Sequence, residues 1–244
     1  MRETDPLLAP TRLLDFEVSA MVRLIEGRGW EKLPRHERIG AVYHFVRNEI
    51  AFGYNRADDI TASELLGDGY GQCNTMGTLL TALPRGTDMR CRLHGFTIHK
   101  APQRGAVPEL GYSIAPAEIL HSWVEAEDGR VNLESFILDA PFLGALQQTF
   151  PGTDCLNAPP IGWTCSYTDS EKSGIAPNFG TFDTPGAFYS GHRQKFGRLH
   201  DWLYRLPIRH WINACVRAIR AGRVPRVPGP NLPNHRHDEV SNAT

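Results

Sequence analysis

The stretch Gly69-Tyr70-Gly71-Gln72-Cys73-Asn74-Thr75-Met76-Gly77-Thr78-Leu79-Leu80 decides how this chain is read. Gly67, Gly69 and Gly71 force a turn. Directly after it Thr75, Met76, Leu79, Leu80 and Leu83 recur at helical spacing until Pro84 and Gly86 stop the pattern. Cys73 therefore opens a helix. A thiol at that position meets free backbone N–H groups and the positive end of the helix dipole, which favour the nucleophilic thiolate.

Toward the N-terminus, Leu14, Val18, Met21, Val22 and Ile25 predict a helix over Thr11 to Glu26. Pro34 suits the first turn of a second helix running to Glu49. Phe52-Gly53-Tyr54 reads as a short extended piece, and Ser63 as the cap of a short helix. Toward the C-terminus, strands are predicted over Met89 to Ile98, Ile119 to Glu127 and Arg130 to Ile137, with Asp128-Gly129 as a hairpin turn between the last two. The connection from His99 to Glu118 has no periodicity and the length of a lid. Pro151 to Gly186 reads as an ordered wrapping segment. Two helices, Leu199 to Leu206 and Ile208 to Ile219, flank Pro207. The domain expectation is one unit over 1–221, with a motif core over 62–139, an extension over 140–221 and a Pro-rich tail over 222–244.

Composition narrows the class. A chain of 244 residues buries about 72% of its unfolded surface, enough for a core without staples. It is 41% hydrophobic and 22% charged, the make-up of a globular protein and not of a disordered one. A net charge of −1 supplies no general pull toward nucleic acid or an anionic membrane. The five cysteines, Cys73, Cys91, Cys155, Cys165 and Cys215, are odd in number and lack close pairs. That speaks for a reducing, cytoplasmic setting and against a cysteine zinc site. The start of the chain lacks the order of a signal peptide.

Three reactive residue types fall in sequence order. In His121-Ser122-Trp123-Val124-Glu125, strand alternation puts His121, Trp123 and Glu125 on one face. Glu134 lies on the returning strand, within reach to orient an imidazole. Cysteine at a helix start, histidine on a strand and carboxylate on the next strand form the nucleophile, base and orienting group of acyl-transfer enzymes.

These residues resemble the transglutaminase-like superfamily on its papain-like core. The matching stretches are Gly71-Gln72-Cys73, Arg90-Cys91-Arg92 with Gly95-Phe96, His121-Ser122-Trp123-Val124-Glu125, and Gly129-Arg130-Val131-Asn132-Leu133-Glu134. The resemblance implies an α+β fold in which the cysteine helix packs on an antiparallel sheet, with added N- and C-terminal helices. It also implies catalysis through a thioester on Cys73, with His121 as base and acid and Glu134 in the place where the family usually carries Asp. Asp139 is the reserve for that third place. The backbone N–H of Cys73 is the expected first oxyanion donor; Tyr54 or Gln72 is the second, and Trp123 lies beneath the site.

The expected chemistry joins an acyl donor (amide, ester or thioester) to an amine or water, without metal or organic cofactor. Amide formation in a biosynthetic pathway is one form of it. A basic face of the last helix, with Arg205, Arg209, Arg217 and Arg220 opposite Trp202 and Trp211, would suit an acidic carrier protein; nucleic-acid and membrane contacts are not expected. The rivals are a cysteine peptidase or amidase, and a non-catalytic binding module that keeps the fold. Cys91, Cys155, Cys165 and Cys215 read as inert, and His94, His99, His192, His200 and His210 as surface or capping residues.

Overall fold

In the computed structural model, which describes residues 5–100, 112–113, 115–126, 129–149, 178–192 and 208–223, the cysteine helix is the axis of the core. The N-terminal helices are α1 (Ser19–Arg28), α2 (Arg35–Glu49) and α3 (Ala62–Asp68), and the cysteine helix is α4 (Cys73–Arg85). In α4, Met76, Leu79, Leu80 and Leu83 are fully buried. Its hydroxyls turn back on its own backbone, Thr78 Oγ1 to Asn74 O at 3.1 Å and Thr81 Oγ1 to Gly77 O at 2.8 Å, so polar residues cost little in apolar surroundings. The chain enters α4 through Gly71 because a Cβ there would lie 2.7 Å from Leu65 Cδ1 and 2.9 Å from Met76 Cγ.

α1 starts later than its apolar spacing predicts. Leu13 and Leu14 are both buried ahead of the helix, and Asp15 spends its carboxylate on the backbone N–H of Ser63, at 2.9 Å, and on the Ser63 hydroxyl. Ser63 is thus a tie to the N-terminal segment, and the cap of α3 is Thr61, whose Oγ1 accepts from Glu64 N at 3.1 Å. α2 begins just after Pro34, as expected.

Between these helices, β1 (Ala51–Phe52) pairs in parallel with β2 (Tyr70–Gly71), Phe52 opposite Gly71. The main sheet comprises β3 (Cys91–His99), β4 (Glu118–Ala126), β5 (Val131–Leu133) and β6 (Asn178–Phe182), antiparallel in the order β5-β4-β3-β6. β5 is shorter than predicted. Ser135 takes φ 56°, which ends the strand and sends Phe136, Ile137 and Leu138 into the core. β6, α5 (Ala140–Thr149) and α6 (Pro185–His192) are elements the sequence did not announce, and α7 (Arg209–Arg220) matches the last predicted helix.

The core of the 99–118 connection (101–111), most of the wrapping segment (150–177), the first of the two predicted C-terminal helices (199–206) and the tail beyond 223 lie outside the described residues. One hydrophobic cluster runs from Leu13 to Ile219, with α4 between α2 and α3 on one side and the sheet on the other. A second, smaller one (Phe96, Ile98 and Trp123) occupies the sheet face turned away from α4. The predicted α+β class is the one observed. Among the described residues no helix is long and apolar enough to cross a membrane.

β3 has a register shift between Gly95 and Phe96 where it meets β6, and there Phe188 of α6 presses on the strand. A Cβ on Gly95 would fall 2.2 Å from Phe188 Cε2, and Phe188 is fully buried. Gly95→Ala should therefore destabilise the protein by roughly 1–3 kcal/mol through overpacking, read as a lower urea midpoint. Phe188→Leu in the same chain should recover part of that loss.

Candidate active site

Cys73 occupies the first position of α4, and its Sγ lies 3.7 Å from the carbonyl oxygen of Leu120, the residue that precedes His121. β4 carries Leu120, Ser122 and Val124 toward α4, where Ser122 Oγ meets Asn74 Oδ1 at 3.3 Å. Strand alternation then sets His121 and Trp123 on the opposite face, against Phe96, whose ring stands edge-on to the His121 imidazole at 5.0 Å. β5 pairs with β4 only from Val124 onward, so the Leu120–His121 peptide lies at an edge that β5 leaves open, and Cys73 comes up against it. Among the described residues no hydrogen bond joins Cys73 to His121.

The register of β1 on β2 continues this geometry. Phe52 lies opposite Gly71, and beyond the end of this ladder the chain brings Tyr54 near enough to Cys73 for the thiol to act on its phenol. The turn after Tyr54 is held by Asn55, which is fully buried. Its N–H donates to Gln72 Oε1 at 2.8 Å, its side-chain amide to Asp68 and to Tyr70 O, and its Oδ1 accepts from Thr75 Oγ1 at 2.7 Å. Gln72 in turn donates Nε2 to Asp58 Oδ1 at 2.8 Å. Gln72 is thus a strut with both ends of its amide in use, and Tyr54 is the stronger of the two predicted second oxyanion donors: its hydroxyl has no hydrogen bond among the described residues. Nearby, the Tyr189 hydroxyl donates to Asn74 O at 2.7 Å.

Electrostatics depart from the helix-start expectation. Burial raises the Cys73 thiol pKa, the Asp58 carboxylate raises it further, and the N–H groups of Asn74 and Cys73 offset only part of this. The resting Cys73 side chain is a neutral thiol. Burial lowers His121 to about 4, so it is a neutral imidazole, and no carboxylate enters among the causes. Burial first, and then the nearness of the Cys73 thiol, hold the Tyr54 phenol above its ordinary range, which keeps it an O–H donor.

The structure does not bring either predicted carboxylate onto His121. Glu134 accepts the Tyr43 hydroxyl on its backbone oxygen at 2.6 Å, and its charge is felt at Tyr43, whose phenol is raised first by burial and then by Glu134 against Arg47. Asp139, the reserve, is buried elsewhere: it accepts from Phe52 N at 2.8 Å, Phe142 N at 3.0 Å and the Arg220 guanidinium at 2.5 Å. Arg220 therefore points inward and does not belong to a basic outer face, while Trp211 is 45% exposed. Trp123, expected beneath the site, is buried on the sheet face turned away from α4 and stacks on His94 at 3.7 Å. His94 is no surface histidine: its Nδ1 meets Glu125 Oε1 and its Nε2 Asn178 Oδ1, both at 2.8 Å. Sequence reasoning missed Asn55, Asp58, Tyr189 and Asn213, whose contacts reach across 13 to 159 residues.

Residues 24–132 match the family model of the transglutaminase-like superfamily. Among curated proteins none matches the chain. A solved structure from Cytophaga hutchinsonii, provisionally described as a cysteine protease, is similar at 12% identity and a TM-score of 0.43, over 74% of this chain and 47% of that one. The chain thus spans about half the length of that protein.

Two measurements follow from the charges. A histidine whose folded pKa lies near 4, below its unfolded value of about 6.5, leaves the unfolded state binding more protons between those values. Stability should fall as pH drops from 6.5 toward 4, and His121→Phe should remove that part of the pH dependence of the melting temperature. Asp58→Asn should lower the Cys73 thiol pKa and speed its alkylation by iodoacetamide at pH 8 by roughly three- to tenfold, with Cys215 as the internal control.

Proposed function

On this transglutaminase-like core we propose cysteine-dependent acyl transfer, with Cys73 as nucleophile, His121 as base and acid, and Tyr54 with the Cys73 backbone N–H as oxyanion donors. The observation that carries the reading is the meeting at one point of three things: the first turn of α4, the Leu120–His121 peptide, and the Tyr54 phenol. A neutral thiol and a neutral imidazole suit a general-base route. As Sγ bonds to the carbonyl carbon of an amide, ester or thioester, the thiol proton passes to His121 and the carbonyl oxygen gains the charge that the two donors meet. The oxyanion collapses, His121 gives the proton to the departing amine, alcohol or thiol, and a thioester remains on Cys73. An incoming amine or water attacks it, loses a proton to His121, and returns the thiol.

Cys73 Sγ lies on the Leu120 carbonyl while strand alternation turns the His121 ring to the other face of β4, so the reading requires both side chains to reorient around the Leu120–His121 peptide. Glu134 is a weaker member of the reading than the other residues, because its charge acts at Tyr43. Hydrolysis and transfer share every step up to the thioester, and the acceptor separates them.

The test uses p-nitrophenyl acetate on the full chain, with intact-mass and peptide analysis. Acetylation is expected at Cys73 ahead of Cys91 and Cys215, lost in Cys73→Ala and slowed about 100-fold or more in His121→Ala, with Glu134→Gln costing less than about tenfold. Added glycine ethyl ester that captures the acetyl group assigns a transferase, and release of acetate alone a hydrolase. Equal labelling of all cysteines, unchanged in His121→Ala, overturns the reading and leaves a binding module.

A further inference from the structure

The strand segment that carries Tyr54 has a neighbour on one side only. Toward β2 its ladder is regular, with Ala51 N donating to Gly69 O at 3.0 Å and Gly53 N to Gly71 O at 2.9 Å. On the other edge a further strand would normally take the N–H and C=O groups of Phe52 and Tyr54. Side chains take them instead. Phe52 N donates to Asp139 Oδ2 at 2.8 Å and Phe52 O accepts from Arg220 at 3.0 Å. Tyr54 N donates to Asn213 Oδ1 at 2.7 Å, and Tyr54 O accepts from Asn213 Nδ2 at 2.9 Å.

Asn213 is 7% exposed, and its amide is read unambiguously because an N–H faces one end and a carbonyl the other. Asn213 and Arg220 stand seven residues apart on α7, two helical turns and about 10 Å, on one face. Phe52 and Tyr54 are about 7 Å apart along the strand, and the length of the Arg220 side chain closes the difference. One helix face thus does the work of a strand edge. A side chain that binds both main-chain groups of one residue fixes that residue's position and the orientation of its peptide planes.

Resting on the reading of Tyr54 as an oxyanion donor, we propose that Asn213 is a positioning residue of the site: from α7 it clamps the backbone of Tyr54 and so holds the phenol against Cys73. α7 lies outside the family-matched residues 24–132, so the chain completes its site with a helix the matched segment lacks. The Tyr54 hydroxyl fits this role, since it has no acceptor among the described residues and can donate to a ligand oxygen.

Two probes of Cys73 separate orientation of the phenol from general damage. Acetylation by p-nitrophenyl acetate develops an oxyanion, whereas alkylation by iodoacetamide displaces iodide and develops none. Tyr54→Phe should slow acetylation roughly tenfold or more and leave alkylation within twofold. Asn213→Ala should slow acetylation about three- to tenfold with alkylation unchanged, and should add no further loss in the Tyr54→Phe background. Asn213→Asp keeps the shape and the acceptor while removing the donor to Tyr54 O, and should show the same selective loss; it carries the test if the alanine variant fails to fold by circular dichroism. Equal slowing of both probes, or the same added loss of acetylation without the Tyr54 hydroxyl, overturns the clamp and makes Asn213 a stability residue alone. If Tyr54→Phe is silent while acetylation still needs Cys73 and His121, this inference and the oxyanion role of Tyr54 fall, and acyl transfer through Cys73 and His121 stands. If wild type shows no selective acetylation of Cys73, the proposed function falls with it.

Discussion

The buried carboxylate of Asp139 gathers what the rest of the molecule is built around. Its two oxygens hold the start of α5 through Phe142 N, the β1 backbone through Phe52 N and α7 through Arg220. These three segments lie 81 to 87 residues from Asp139 or directly beside it in the chain. Burial works to raise the carboxyl pKa, but the Arg220 guanidinium and the two amides prevail and hold it below its ordinary range. Such a pair is weak as net stabilisation against an apolar replacement, yet costly to break by halves, about 3–5 kcal/mol when one charge is left unpaired. What it contributes is placement. It fixes the edge of β1, and with it the height at which Tyr54 meets α4.

Around Cys73, placement and charge work against each other in an informative way. The first turn of α4 aims backbone N–H groups at the thiol, the arrangement that lowers a thiol pKa in an open cleft. Here burial and Asp58 outweigh them. His121 is likewise neutral because it is buried, with Phe96 edge-on to its ring, and among the described residues no charge holds a proton on it. Two neutral partners need no resting ion pair, and a low-dielectric site makes the charge of a developing oxyanion the main thing to be met. On the proposed acyl-transfer reading the weight of the chemistry falls on the donors as much as on the nucleophile, and the backbone holding Tyr54 matters for that reason.

The parts of this structure legible in the sequence are those whose signals are local. The 3.6-residue spacing from Thr75 to Leu83 and the glycines before Cys73 gave α4, and the alternation through His121, Trp123 and Glu125 gave β4 and its facing. Pro34 marked the start of α2. Where side chains from afar decide, local rules failed. Asp15 reaching Ser63 displaced the start of α1, Ser135 in the left-handed region cut β5 short, and β6 is a strand only because β3 offers it an edge. The site divides in the same way. Cys73 and His121 follow from spacing, whereas Asp139 was misjudged because nothing near it in the chain announces Arg220, and Asn213 carries no signal at all within a helix read for its apolar stripe.

The segment after β5 is a structural part of the core and not an appendage. Without Asp139, Asn213 and Arg220, the outer edge of β1 would leave the N–H and C=O groups of Phe52 and Tyr54 without their partners, each worth about 1–3 kcal/mol where water cannot reach it. Phe52 is buried and Gly53 is packed on Tyr70, so an added strand or a solvating shell does not fit in their place. Ile212, Val216 and Ile219 extend the same apolar cluster from α7 down to Phe142. Burial and backbone satisfaction thus converge: residues 24–132, matched to the family, carry Cys73 and His121, and α7, outside them, satisfies the backbone of Phe52 and Tyr54.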